Sequence, residues 1–317
     1  MTKLKVTKEQ EQSVKGRGYI RNRGTDLFSA RIVTVNGKIT SEQQRALAEA
    51  AEKFGNGEVY FTVRLTIEIP GIRFEDIPKF DAFLDSIGLA TGGTGAKFRP
   101  VVACKGSVCA NSTLDAFPLA EKIHNKFYVG YRDLKLPHKF KIGIAACPSN
   151  CTKPSLNDFG ILGQLVPNYN HDLCRGCKVC PVQAVCPMDC VKRTEDGTMK
   201  ITEVCNNCGK CVGKCTFDSI PDGKYAYQLY IGGMWGKHPR AGTPLKQLVY
   251  SEEELFDIIE KAILLYKDLG EPGERLGMTV DRVGIDEVER LLFSDELLER
   301  KDEILADDKT EDGEISC

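Results

Sequence analysis

What this 317-residue sequence has little of narrows its class before any motif is considered. No apolar run is long enough to cross a membrane: the most apolar helical stretch, residues 255–265, is interrupted by Asp257, Glu260 and Lys261, which predicts a chain without a membrane span. Neither sign of charge is in excess. Lys and Arg total 43 against 45 Asp and Glu, giving a formal net charge of -2 and a pI near 6.2, so no broad basic surface for nucleic acid is implied. No apolar signal segment opens the sequence. The four histidines are dispersed, and none is assigned to a metal. Cysteine is the opposite case. Fourteen are present, in short-spaced groups rather than scattered pairs, which argues against a secreted disulfide framework and predicts metal ligation in a reducing cytoplasm. The length allows two or three domains, each with its own core.

The chain is organised around residues 139–151, KFKIGIAACPSNC, which read as a strand running into a tight cysteine-rich turn. Alternation puts Lys139, Lys141, Gly143, Ala145 and Cys147 on one face and Phe140, Ile142 and Ile144 on the other. The second face is core. The first carries two lysines suited to an anion and two small residues that leave room for a flat ligand. Upstream, RPVVACKGSVC supplies Arg99, Cys104 and Cys109. With Cys147 and Cys151 these make two cysteine pairs able to enclose one cubane cluster, since each iron needs one thiolate. Zinc is the rival, but its pairs usually show two-residue gaps, and neither pair here does.

Residues 174–215 give the least ambiguous signal. CRGCKVC, then Cys186-Pro187, then CNNCGKCVGKC reproduce the doubled spacing of bacterial two-cluster ferredoxins, in which three cysteines of each motif hold one cluster and the fourth holds the other. Cys174, Cys177, Cys180 and Cys215 are expected to form one set, and Cys186, Cys205, Cys208 and Cys211 the second. Two departures stand out: five residues separate Cys180 from Cys186, and Thr216 stands where proline is expected. Cys190 is an alternative to Cys186, with Pro187 favouring Cys186. Cys317, in an acidic tail, is expected to be unligated.

Elsewhere the pattern is globular. Residues 1–15 are polar and predicted to be a surface arm. Residues 18–40 alternate toward an Asn36-Gly37 turn, and a helix runs from Ser41 to a left-handed cap at Gly55. Residues 58–69 read as one alternating strand with Arg64 on the face of Tyr60, Thr62, Thr66 and Glu68, and residues 76–87 as a helix with Pro78 in its first turn. Strand, helix, strand, helix predicts an α+β half-domain of about 90 residues. A helix is expected over 113–126. Farther on, YAYQLYIGGMWGKHPRAGTPL offers Gly232, Gly233 and Gly236 for close backbone approach and Lys237 and Arg240 to meet carboxylates, though a simple turn accounts for it too. Ser251 and Glu254 open a helix to residue 269, another covers 285–305, and the end is predicted to be disordered.

VRLTIEI, FRPVVAC, LPHKFK and the paired cysteines ending in CPSNC together resemble the sirohaem sulfite and nitrite reductases. The inserted ferredoxin pattern, YIGGMWGK and the long C-terminal helices make the chain similar to the catalytic C subunits of anaerobic, NADH-linked sulfite reductases. In that family five residues commonly separate the first two cluster cysteines, and here four lie between Cys104 and Cys109. The resemblance implies an α+β fold: a ferredoxin-like half-domain over 1–90, a sirohaem and coupled 4Fe-4S α/β domain over 91–167 and 222–306, an inserted two-cluster ferredoxin domain over 168–221, and a tail over 307–317. It implies Arg64, Arg99, Lys139 and Lys141 as sulfite-binding side chains, Cys151 as the bridge from cluster to sirohaem iron, Lys237 and Arg240 toward the cofactor, and three 4Fe-4S clusters in all. Implied partners are sulfite, an iron-sulfur electron donor subunit and a flavin- and NADH-binding subunit.

The single-chain members of the family resemble two fused copies of this half. Lys141 and Cys147 are six residues apart, roughly 20 Å along an extended strand, too far to serve one haem together. A homodimer with shared active sites is therefore expected. Nitrite reduction, and a non-catalytic electron-transfer subunit, are the competing functions. The second leaves the four cationic residues and the two isolated cysteine pairs without a role.

Overall fold

The computed structural model describes residues 5–307. Capping chemistry starts the first helices: Thr7 and Gln10 form a reciprocal box at α1 (Lys8–Val14), and Thr40 and Gln43 do so at α2 (Ser41–Phe54). The polar arm is thus, over its described part, a capped helix that buries Val14. Strands β1 (Tyr19–Arg21) and β2 (Leu27–Ile32) pair antiparallel, and the expected Asn36-Gly37 turn forms with φ of 52° and 77°. Gly55 ends α2 without the left-handed cap, at φ -109°; it is small because a Cβ there would lie 2.6 Å from the Pro70 carbonyl oxygen.

The single strand expected over 58–69 is instead a hairpin of β3 (Tyr60–Phe61) and β4 (Ile67–Arg73). Its turn is closed by the Thr62 amide donating to Thr66 O at 2.9 Å, with Leu65 at φ 58°. No Gly, Asn or Pro marks that turn, so alternation alone runs through it. Arg64 consequently sits on a turn and not on a strand face. Helix α3 (Ile77–Ser86) follows, with Pro in its first turn. The sheet order is β1-β2-β4-β3, and Phe28, Ile32, Leu47, Ile69, Phe80 and Leu84 form the core between it and the two helices.

The second sheet runs β11-β10-β7-β6-β5. Strand β5 (Val102–Ala103), helix α4 (Ala116–Ile123), which continues into a π turn at His124–Tyr128, strand β6 (Ile142–Ala145) and strand β7 (Phe159–Pro167) come first; β5, β6 and β7 are parallel. After β7 the chain leaves the sheet, forms α5 (Pro181–Ala184) and the hairpin β8 (Val191–Arg193) and β9 (Met199–Ile201), and returns as β10 (Gly223–Ile231). Strand β10 pairs antiparallel with β7 from Gly223↔Pro167 to Ile231↔Phe159, so residues 168–222 replace what would otherwise be a hairpin turn. Strand β11 (Thr243–Pro244) closes the edge.

Helix α6 (Glu252–Leu269) starts at the Ser251 cap, is buried on nearly every side and forms the spine of the larger core. Two charges that break its apolar run are paired there: Glu260 accepts from Tyr131 Oη at 2.6 Å and Lys301 Nζ at 2.5 Å, and Lys261 Nζ meets Asp295 at 3.1 Å. Where one helix is expected over 285–305 there are three, α8 (Ile285–Phe293), α9 (Glu296–Glu299) and α10 (Lys301–Ala306), after α7 (Leu276–Val283), which the sequence pattern did not announce. Gly284 at φ 91° separates α7 from α8. Among the described residues no helix is long and apolar enough to cross a membrane. The tail beyond residue 307, including Cys317, lies outside the described residues.

Candidate functional site

Parallel pairing decides what β5 and β6 can present. The register Val102↔Gly143 and Ala103↔Ile144, extended backward by a Phe98↔Phe140 bridge, aligns the two segments start to start and end to end. Cationic side chains flank their beginnings, Arg99 on one and Lys139 and Lys141 on the other. Cysteines flank their ends, Cys104 and Cys147. The face that alternation marks as roomy is filled: a Cβ on Gly143 would lie 2.4 Å from Asn157 Nδ2, so this glycine makes space for Asn157 and not for a flat ligand.

At the cationic end, Arg64 reaches in from the β3 to β4 turn. Its Nη2 donates to Pro100 O at 2.7 Å and Ile142 O at 3.1 Å, and its Nη1 to Asn157 Oδ1 at 3.0 Å, while Nε is buried without a hydrogen-bond partner. Arg99, 8% exposed, donates to Gly95 O at 2.7 Å and to Gly93 O. Burial pushes Arg64 down to about 10, with Arg99 adding to the effect and Asp158 opposing it. Lys141 is pushed down to about 8, chiefly by burial and then by Arg64, again against Asp158. His138 is pushed down to about 4 by burial and by Lys139, Arg275, Arg99 and Lys141. It is therefore neutral near pH 7. Its Nδ1 accepts from the Lys139 amide at 2.7 Å, which places the ring proton on Nε2.

Sequence reasoning missed Asn157, Asp158 and Arg275. Asp158 is 0% exposed, accepts from the Lys141 amide at 3.0 Å, and is clasped by Arg275 through Nη2 at 2.8 and 2.9 Å and Nε at 3.2 Å. The available signal was NDFGILG, a carboxylate opening an otherwise apolar buried strand.

At the other end two cysteine loops interlock. Cys104 Sγ accepts from the Ala146 amide at 3.2 Å, and the Thr113 amide and hydroxyl hold Ala146 O at 3.0 and 2.7 Å. Gly106 is pressed onto the same residue: a Cβ there would stand 2.3 Å from Ala146 Cβ. Asn150 at φ 57° turns the chain between Cys147, which is buried, and Cys151, which is exposed; Cys104 and Cys109 are partly buried. Four thiols on two abutting loops suit an iron-sulfur cluster better than a hard cation. No three His, Cys, Asp or Glu side chains among the described residues close around a point as the ligands of one metal ion do.

In residues 168–222, Cys186, Cys190, Cys205, Cys208 and Cys211 line one cavity, and one small core around Val182 and Ile220 takes in Cys174, Cys180 and Cys215 together with Cys186, Cys190, Cys205 and Cys211. Cys177 is partly buried, and its carbonyl accepts from Arg193. The segment is seated on β7 by the Leu165 amide donating to Asn207 O at 2.8 Å and by Asn207 Nδ2 donating to Gln164 at 2.9 Å. Arg240 braces its own loop, bound to Asp281 at 2.7 Å, Gly232 O at 2.9 Å and Thr243 Oγ1 at 3.2 Å, and Lys237 is exposed on that loop.

Two family models match the chain: the nitrite and sulphite reductase 4Fe-4S domain over residues 94–301, and the nitrite/sulfite reductase ferredoxin-like half domain over 19–87. An uncharacterized protein of Methanocaldococcus jannaschii is 30% identical over 82% of this chain and 89% of its own length. The coenzyme F420-dependent sulfite reductase of the same organism is 30% identical over 87% of this chain, and the C subunit of the anaerobic sulfite reductase of Salmonella typhimurium is 29% identical over 50%. The matched part spans 44% and 49% of those two proteins. Among solved structures, dissimilatory sulfite reductase I superposes with a TM-score of 0.66 at 19% identity, covering 84% of this chain and 69% of the other, which bears on the fold.

Proposed function

Because the chain belongs to the nitrite and sulfite reductase family, we propose that it is the catalytic chain of a sirohaem-dependent sulfite reductase, carrying out the six-electron reduction of sulfite to sulfide. The observation that carries this reading is the parallel register that sets cations at one end of β5 and β6 and paired thiols at the other.

The residues present fit the cofactors of the family. Cys104, Cys109, Cys147 and Cys151 would hold a 4Fe-4S cluster, with Cys151 its solvent-exposed thiol. Cys174, Cys177, Cys180 and Cys215, and Cys186, Cys205, Cys208 and Cys211, would hold two further clusters in an inserted ferredoxin unit over 168–221. Bound, these groups supply electrons and the centre at which the sulfur-oxygen bonds break. The chain's own residues bind and protonate. Arg64 and Arg99 present guanidinium groups held by carbonyls, so they meet an oxyanion without reorganising. Lys141, with its lowered proton affinity, both attracts sulfite and gives up a proton readily, and Lys139 adds charge.

Strand β7 supports an order for the two ferredoxin sites. On its one face Gly163 abuts Ala146 O, where a Cβ would lie 2.6 Å away, and Leu165 abuts Gly209 in the motif of Cys205, Cys208 and Cys211. That site is then the nearer to the haem-coupled cluster. Strand β6 keeps an unbroken parallel register with β7 from Ile142↔Phe159 to Ala145↔Leu162, which supports cations and coupled cysteines serving different haems in a two-fold dimer. An iron-sulfur subunit and a flavin- and NADH-binding subunit would complete the electron supply.

The test is the visible spectrum and turnover of anaerobically purified protein. A haem-type band with sulfide formed from sulfite and a reduced viologen dye is expected, at higher kcat/KM than nitrite reduction. Nitrite named in place of sulfite is the reading favoured by the Bacillus subtilis nitrite reductase, 25% identical over 81% of this chain, and a reversed preference would select it. Iron-loaded protein lacking any haem band would leave electron transfer alone.

A further inference from the structure

We propose that Asp158, clasped by Arg275, is a positioning residue for Lys141: it anchors the backbone from which the lysine projects and supplies the negative charge that faces the cationic cluster. The inference rests on the reading of Lys141 as a sulfite-side residue and says how the fold sustains it.

The geometry comes first. Residues 158 and 159 hold Lys141 from both sides of its peptide frame, through Asp158 Oδ2 accepting the Lys141 amide at 3.0 Å and the Phe159 amide donating to Lys141 O at 3.0 Å. Asp158 is in turn fixed by both carboxylate oxygens on Arg275 and by its carbonyl, which accepts from the Gly232 amide at 2.8 Å. Arg275 is the N-cap of α7, so this pair ties the C-terminal helices to the start of β6, beside the packing of Tyr266 on Phe140. Its side chain is 11% exposed against 0% for Asp158. A carboxylate in that setting is costly to bury unless its charge is used.

The charges facing Lys141 are Arg64 from the β3 to β4 turn, Arg275 from α7, Lys139 on its own segment and Asp158 from the start of β7; Arg99 and neutral His138 lie in the same cluster. Asp158 is the carboxylate among them. Burial raises its proton affinity, while Arg275 and Lys141 pull it back. The lysine, pushed down to about 8, would fall further without it.

Asp158→Asn keeps the shape and removes the charge. The alkaline limb of the pH profile for sulfite turnover is expected to move to lower pH, by about one unit for a unit charge at close range in a partly buried site. Asp158→Glu should restore the limb toward its original place. Arg275→Gln removes the cation that does most to offset the burial of Asp158, so the carboxylate loses its charge with it and the limb is expected to move to lower pH as in Asp158→Asn. Arg275→Lys keeps a cation there and should keep the limb near its original place. A purely structural pair would lower turnover in the neutralising variants with the limb unmoved. Limbs that stay put, or that move to higher pH, overturn the inference. If Asp158→Asn does not accumulate folded, Arg275→Gln decides with Arg275→Lys as its control: a downward shift in the first and not the second supports the assignment, and any other pattern defeats it. Lys141→Ala in parallel separates this from the underlying reading. It is expected to keep the haem band and lose tenfold to a thousandfold in sulfite turnover, about what one preorganised charge contributes. Unimpaired turnover there removes Lys141 from the site, whereas impaired turnover with unmoved limbs in the other variants removes only Asp158.

Discussion

The two ends of β5 and β6 are built in opposite ways. The cysteine end is local: Cys104 to Cys109 and Cys147 to Cys151 are short loops, each readable as a spacing, and the fold only presses them together at Ala146. The cationic end is assembled from distant chain: Arg64 from a hairpin turn, Arg99 and Lys141 from neighbouring parallel segments, Asp158 from the next strand and Arg275 from a helix more than a hundred residues later. Each loop at the first end carries its thiols within one short window, whereas each cation at the second depends on partners that no local window contains.

The sharpest way to break the comparison is to ask whether one chain supplies both ends to the same haem. Cys151→Ala is expected to abolish sulfite turnover. Lys141→Ala is expected to cripple it. If the ends of different copies meet, purified mixed dimers of the two variants hold one intact site and one doubly damaged site, and recover about half of the wild-type activity per dimer. Mixed dimers that stay inactive, when wild-type chains survive the same handling, would place both ends at one haem within one subunit and require a bend that the β6 to β7 register does not show.

The cationic end yields the next effect. Asn157→Ala frees Arg64 Nη1 and empties the space beside Gly143. A hydrogen bond to a charged group contributes about 1.5–3 kcal/mol, so kcat/KM for sulfite is expected to fall by roughly tenfold to a hundredfold with iron content kept. Kinetics like the wild type would show that the Pro100 and Ile142 carbonyls suffice to orient the arginine.

What the sequence revealed follows the same division. The cysteine spacings and the helices that begin at Ser41 and after Ser251 are local, and local patterns announced them, though the cap of the first proved to be Thr40 and not Ser41. Alternation marked Lys139 and Lys141 as suited to an anion, but Arg64 and Arg99 were tied to the substrate only through likeness to a family, because nothing in VRLTIEI itself shows that Leu65 turns left-handed and swings its neighbour toward β6. Gly143 was misread for a related reason: a missing side chain looks the same whether a ligand or Asn157 fills the space. The break at Gly284 and the pairing of Asp158 with Arg275 depend on tertiary contacts with no periodic signature.

At the cysteine end, Gly106→Ala is a smaller perturbation. A methyl at 2.3 Å from Ala146 Cβ forces the two loops apart, and overpacking of this kind costs about 1–3 kcal/mol. The expected result is a lower midpoint of thermal unfolding together with faster loss of iron to a chelator. Full stability would mean that the loops separate without strain, and that the interlock at Ala146 does not hold the cysteine pairs in place.

The smallest effect is expected at Cys190. It lines the same cavity as Cys186, Cys205, Cys208 and Cys211, and its Sγ lies 3.3 Å from Cys186 Sγ, so proximity alone does not choose between them. The proline that follows Cys186 matches the two-cluster motif and favours Cys186. Cys190→Ser should therefore leave the iron and sulfide counts unchanged, while Cys186→Ser should lower iron by about four per chain, the content of one cubane. The reverse pattern would transfer the ligand to Cys190 and make the proline after Cys186 an accident of the turn. Equal retention in both single variants, with loss only in the double, would show two thiols sharing one coordination position.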